Sequence, residues 1–363
     1  MCKIEKLFFT LLRSAIWDTK PVLPHVPTKE EWYRIAELSK EQTVTGIMLD
    51  AIAKLPEEQR PDRKLLVQWI MQQKFIEKMN IKMNSVIKTL FDGLQSKGIR
   101  AILLKGQGVA QNYLNPLHRQ CGDIDLYIPE EHFNQALEHF GSLGCKVENN
   151  PKSYHAETAF NGIPIELHKS CAKYYTKKLQ RRYNDITGAI IGNRNTTTTI
   201  DGTEVEVLPY IANAFQLLSH TMRHIFSSGI ALRQICDWVY FIYHNQKDID
   251  REEFIAQLKT LQLYETYKAV TAIATDHLGL PQEFALCEIS SKDKELSKKV
   301  LDLIMKYGNF GHYGEHNSIN TKWEYLRSYL WKVRNCIRFR RIAGNEAWNF
   351  PLWQLHSIGK FLK

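Results

Sequence analysis

Asp123 and Asp125 stand one residue apart in Cys121-Gly122-Asp123-Ile124-Asp125-Leu126-Tyr127-Ile128, where Ile124, Leu126 and Ile128 alternate with polar neighbours. That period of two is the signature of a half-buried strand. Residues i and i+2 of a strand share a face, so the two carboxylates project together, about 6.5 to 7 Å apart along the backbone. Like charges held so close raise each other's pKa, and a divalent cation relieves the repulsion. Oxygen ligands of this kind suit Mg²⁺ or Mn²⁺. From this segment alone the alternative is a strand end carrying two solvated acids.

The flanking residues extend the pattern. Ile99-Arg100-Ala101-Ile102-Leu103-Leu104 runs into Lys105-Gly106-Gln107-Gly108, and Val109 to Leu114 reads as a short helix stopped by Asn115-Pro116. A strand turning through glycine into a helix start offers backbone N–H groups and a positive dipole end to an anion. Lys105 adds a point charge there. The turn is not a Walker loop, because no Gly-Lys-Ser/Thr ending follows. Downstream, Ile163-Pro164-Ile165-Glu166-Leu167-His168 alternates again, with Glu166 and His168 on one face. Asn161-Gly162 predicts a hairpin between it and Tyr154 to Phe160. Three carboxylates on neighbouring strands beside a glycine turn meet the needs of two-metal phosphoryl or nucleotidyl transfer.

The ordered set Leu104-Lys105-Gly106, Pro116, Arg119, Asp123-Ile124-Asp125, Glu166-Leu167-His168 and Leu232-Arg233-Gln234-Ile235-Cys236-Asp237 resembles the nucleotidyltransferase superfamily related to DNA polymerase beta. More narrowly, it is similar to a bacterial nucleotidyltransferase family with a Leu-Lys-Gly turn. The resemblance implies an α+β fold, a small mixed β-sheet with helical N-terminal and C-terminal regions. It implies that Asp123 and Asp125 bind Mg²⁺ (or Mn²⁺) and that Glu166 completes the site or activates the acceptor. Lys105, Gly106, Gln107 and Gly108 would cradle the phosphates of an NTP, and Arg119 or Arg233 would offset developing charge. The acceptor hydroxyl would belong to a small molecule, a saccharide or a protein. One position departs from the superfamily: Gln107 stands where Ser or Gly is usual, so Lys105, the Gln107 amide or Arg119 would have to hold the terminal phosphate. A catalytically inactive nucleotide-binding or scaffold protein is the alternative this departure permits.

These residues need elements to position them. Residues 1–98 read as mostly helical, ending in a long helix near Leu65 to Leu94 closed by Lys97-Gly98. Its stripe of Trp69, Ile70, Phe75, Ile76, Met79, Val86, Ile87, Leu90 and Phe91 is expected to be core. Residues 99–208 form the strand-rich catalytic unit. It includes a helix over Leu137 to Phe140, a strand at Cys145 to Glu148, and a Thr197-to-Val207 hairpin across Asp201-Gly202. Residues 209–363 are helical with a basic tail.

In that last region His220 and His224 lie one turn apart. They fit a zinc pair lacking a third ligand, a polar pocket wall, or simple packing. Arg233 and Asp237 are spaced for a helix ion pair, or for a pocket. His168 is expected beside Glu166 as a supporting or acceptor-binding group.

Composition bounds the partners. The 363 residues are 44% hydrophobic and 24% charged, ordinary for a globular protein. From Thr321 onward nine Lys or Arg face only Glu324 and Glu346, so the tail carries +7 of the net +9. A body-wide nucleic-acid surface is therefore not indicated, and any polyanion contact is local to the tail. Trp331, Val333, Ile337 and Phe339 interleave there with Arg334, Arg338, Arg340 and Arg341, which suits either a packed basic helix or peripheral contact with anionic lipid. Seven scattered cysteines without a Cys-x-x-Cys pair argue for a reducing, cytoplasmic setting. Leu7 to Leu12 is read as a packed helix and not a signal peptide. No run approaches the roughly 20 apolar residues of a membrane span.

Overall fold

The computed structural model of the chain describes residues 2–150, 153–309 and 322–361. Helices α1 (Lys3–Ile16), α2 (Lys29–Glu41) and α3 (Thr45–Ile52) precede α4 (Arg63–Ser96). Asp62 starts α4 by accepting from the Leu65 N–H at 2.9 Å, and Gly98 at φ 68° turns the chain after it.

The central unit then alternates: β1 (Ile102–Leu104), α5 (Gly106–Ala110), β2 (Ile124–Tyr127), α6 (Glu130–Ser142), β3 (His155–Phe160), β4 (Ile163–His168), α7 (Lys177–Asn193), β5 (Thr196–Ile200) and β6 (Thr203–Val207). The helices α8 (Tyr210–Ser227), α9 (Leu232–Asn245), α10 (Arg251–Thr260), α11 (Tyr264–Leu278) and α12 (Ser291–Tyr307) follow. α13 (Lys322–Arg338), α14 (Arg340–Ala343) and α15 (Glu346–Phe361) complete the described chain.

The six strands form one mixed sheet in the order β3-β4-β2-β1-β6-β5, with β2–β4 and β1–β6 parallel. The α+β expectation holds. Both two-residue hairpins have positive φ at each turn residue, 50° and 72° at Asn161-Gly162 and 49° and 75° at Asp201-Gly202. That geometry matches the twist of the strands and fixes the pairing, His155 opposite His168 and Thr196 opposite Val207. Ile124, Leu126, Ile163, Ile165 and Leu167 share one hydrophobic cluster with Met83, Val86, Ile87 and Leu90 of α4 and with Phe133 and Phe140 of α6. A second cluster joins α1 to α3 with the helices that follow β6.

Three local expectations are corrected. The helix after the glycine turn is Gly106–Ala110, beginning three residues and ending four residues earlier than the periodicity of Val109 to Leu114 suggests. Cys145 to Glu148 supplies only a single bridge, Glu148 to Glu157, because its backbone pairs at one point beyond the edge of β3. The apolar stripe of α4 is core only in part: Ile70 and Phe75 are 40% and 65% exposed, each turned about 100° round the helix from buried Trp69 and Ile76.

Candidate active site

The alternation that builds β2 and β4 also aligns their acids. In the parallel pair, Asp125 lies beside Glu166 and Tyr127 beside His168, while Leu104 of β1 faces Asp125 from the other side. Asp125 is 3% exposed and both of its oxygens are engaged. His168 Nε2 lies 2.7 Å from Oδ1, and Lys105 Nζ lies 3.0 Å from Oδ2. The same His168 nitrogen is 3.2 Å from Glu166 Oε2, so one imidazole bridges two carboxylates. The carboxylate of half-buried Asp123 accepts no hydrogen bond from the described residues and lines the cavity.

Electrostatics separate these acids. Burial alone would raise the Asp125 carboxyl, but the Lys105 ammonium and the His168 hydrogen bond outweigh it and hold the group well below its ordinary range. Asp123 is raised instead, by burial first and by the Asp125 charge second. The His168 hydrogen bond lowers Glu166. Lys105 is placed for this work at a cost. Its φ of 49° and ψ of −136° lie where side-chain-bearing residues seldom go, a strain of about 1–3 kcal/mol that surrounding contacts must offset.

A cavity of about 60 Å³ lies over Asp123 and Asp125, walled by Lys105, Gly106, His220 and Arg233 among others, while Glu166 does not line it. It has room for a hydrated ion or a few waters and is far smaller than a nucleotide requires. A second recess shares Lys105 and His220 and adds Tyr154, His168, Lys173 and Arg223.

Arg119 and Asp237, also on the cavity wall, form a buried bidentate pair at 2.7 and 2.8 Å, and Tyr113 donates to Asp237 at 2.6 Å. Among the described residues the buried Arg119 Nη1 has no hydrogen-bond partner. Arg233 does not pair with Asp237 along α9; its Nη1 donates to the Gln120 carbonyl at 2.6 Å.

A family described as uncharacterised nucleotidyltransferase matches residues 28–279. The chain belongs to that family. The crystal structure of an antigenic nucleotidyltransferase-like protein from Paracoccidioides brasiliensis is similar at a TM-score of 0.31 and 18% identity, over 44% of this chain and 75% of that one. No curated protein matches the sequence.

Within this member of the family, the residues singled out in the sequence divide by where they point. Lys105, Gly106, Arg119, Asp123, Asp125, His220, Arg233 and Asp237 line the main cavity. His168 joins them through Asp125. Gln107 and Gly108 do not line it. The Gln107 side chain is buried against α4, donating to Asn80 Oδ1 at 2.8 Å, and a Cβ on Gly108 would meet Val207 at 3.3 Å. Asn80 donates in turn to the Leu117 and Arg119 carbonyls, at 2.7 and 2.9 Å, and so ties the turn and the Arg119 loop to one helix.

The His220 and His224 rings lie tilted against each other with centroids 4.3 Å apart and are held neutral chiefly by burial. Neither belongs to a metal-ligating cluster among the described residues. The one such trio there is His155, Glu166 and His168, whose ligand atoms lie within 4.8 Å of one another. His155 was missed from sequence, although the Asn161-Gly162 turn implies the register that sets it opposite His168. Tyr154, Lys173 and Arg223 carried no sequence signal of their own.

Proposed function

We propose that the chain transfers a nucleoside monophosphate from an NTP to an acceptor hydroxyl, breaking the bond between the α and β phosphates and releasing pyrophosphate, with a divalent cation, Mg²⁺ or Mn²⁺. The observation that carries this reading is the parallel register of β2 and β4, which sets Glu166 beside Asp125, one of the two aspartates that line the cavity with Asp123. The donor set fits a hard divalent cation: Asp123 has free oxygens, and the Lys105 ammonium against Asp125 Oδ2 stands in for positive charge there. Asp123, Asp125 and Glu166 would hold the metal. When bound, it would neutralise phosphate charge and stabilise the attacking and leaving oxygens.

The protein's own groups do the rest. Lys105, Arg233 and the free Nη1 of Arg119 supply positive charge where the phosphates would lie. His168, hydrogen-bonded to Asp125 and Glu166, orients both carboxylates. Glu166, partly exposed, is the carboxylate able to accept the proton of an incoming hydroxyl. Because the cavity admits only small species, nucleotide entry requires Lys105 to swing away from Asp125 and the walls to part.

Calorimetry with ATP, CTP, GTP and UTP in the presence of Mg²⁺, paired with labelled-NTP transfer, tests the reading. Binding with turnover supports it. Binding without turnover supports a silent nucleotide-binding protein instead, the reading favoured by the burial of Gln107 on Asn80 in a turn that carries no hydroxyl. No binding of any NTP refutes both.

A further inference from the structure

Helices α13 and α15 pack against each other and bury Cys336, Ala347 and Phe350 towards the rest of the protein. Their outer sides are not polar. On α13, Trp323, Leu326, Leu330 and Ile337 are 79%, 42%, 49% and 56% exposed. Spaced by three, four and seven residues, they form one stripe, and at 100° per residue it lies opposite buried Ser328, Asn335 and Cys336. Exposed Arg327, Arg334 and Arg338 follow the same spacing along one border of that stripe. On α15, Trp348, Leu352 and Leu355 repeat the pattern at intervals of four and three, again exposed.

A helix that buries one side and offers tryptophan and leucine on the other, with arginines beside them, has the composition of an interfacial helix. Indole rings suit the boundary between headgroups and acyl chains, and arginine stems lie along the apolar surface while their guanidinium groups meet anionic phosphates. We infer that α13 and α15 dock the protein on an anionic lipid surface. A second copy of the chain is a poor occupant, because a two-fold contact would set Arg327, Arg334 and Arg338 near the same residues of its mate. A nucleic acid is also poor, since its phosphates would have to desolvate against the Leu326-Leu330-Ile337 stripe. No helix among the described residues is long and apolar enough to cross a membrane, so the contact is peripheral.

Sedimentation of the full chain with phosphatidylcholine vesicles, with and without phosphatidylglycerol, tests the inference. The protein is expected to pellet only with the anionic vesicles, and to be released as salt rises from about 0.05 M to about 0.5 M. The variants Trp323→Ser/Trp348→Ser/Leu352→Ser and Arg327→Gln/Arg334→Gln/Arg338→Gln should each lower partitioning by at least about tenfold. Unchanged circular dichroism confirms that each is folded, and should the apolar variant unfold, the arginine variant decides. Retention of wild type in the supernatant, equal binding to neutral vesicles, or undiminished binding of the arginine variant overturns the inference. So does a dimer in sedimentation velocity that the apolar variant abolishes, or a DNA duplex that outcompetes the vesicles.

Discussion

Asp125 and Glu166 are direct neighbours across the parallel β2–β4 pair, and His168 Nε2 reaches both, at 2.7 and 3.2 Å. Asp125 is thereby enclosed between Lys105 and His168, whereas Asp123 stays open. The two aspartates should respond differently to the same substitution.

Asp123→Asn should abolish labelled-NTP transfer while leaving thermal stability unchanged or slightly higher. Its carboxyl is raised by burial and by Asp125, so the folded state already disfavours its charge. Asp125→Asn should abolish transfer and also lower the melting temperature, because Lys105 loses its buried partner. Full transfer activity in either variant would remove these residues from the mechanism.

Asp237→Asn should destabilise the protein by about 3–5 kcal/mol, since it strands the buried Arg119 guanidinium and the Tyr113 hydroxyl. Urea unfolding measures the loss. The double variant Arg119→Met/Asp237→Leu should recover part of it, because an apolar pair leaves no buried charge. Recovery of stability without transfer would assign the pair a role at the site beyond packing.

Gly46 carries a packing constraint that sequence alone does not announce. A Cβ there would lie 2.1 Å from the His118 carbonyl oxygen, a backbone atom that cannot rotate aside. Gly46→Ala should therefore cost about 1–3 kcal/mol, despite the better helix propensity of alanine. Since the His118 segment leads into Arg119, nucleotide affinity should fall with stability.

His118 links α3 and α4, with Nδ1 2.8 Å from Asp50 and Nε2 3.0 Å from Glu77. Burial lowers its pKa, but the two carboxylates outweigh that and raise it above the ordinary 6.5. A raised histidine contributes stability that is full below the unfolded value and fades as the pH climbs through the folded one. Melting temperature should therefore decline between about pH 6 and pH 8, and His118→Gln should flatten that slope. An identical slope in the variant would sink the assignment.

What sequence revealed and what it hid follow from the range of the interactions. Asp-Ile-Asp, Glu-Leu-His and the Asn-Gly turn are local patterns, and a strand period plus a two-residue turn suffices to place them on one face. The pairing of Arg119 with Asp237 joins residues far apart in the chain, and helix spacing pointed Asp237 to Arg233 instead. The inward rotation of Gln107 depends on Asn80, which lies in α4 with no mark of its own in the sequence. Phe75 illustrates the opposite error: apolar residues mark a helix side as a candidate core face but do not reveal how wide a sector its neighbours cover, and Phe75 lies outside the sector that buries Ile76.

The neighbouring of Asp125 and Glu166 also restricts how this protein can change. Sliding β4 by one position along β2 would bring Leu167 or Ile165 level with Asp125 and turn Glu166 towards α4 and α6. The same shift would expose the apolar residues that hold the sheet to those helices. The proposed chemistry and the cohesion of the sheet thus share one alignment, so a lineage that lost the first by slippage would forfeit the second with it. Inactive descendants should therefore arise by replacing the acids in place, with the strand pairing retained.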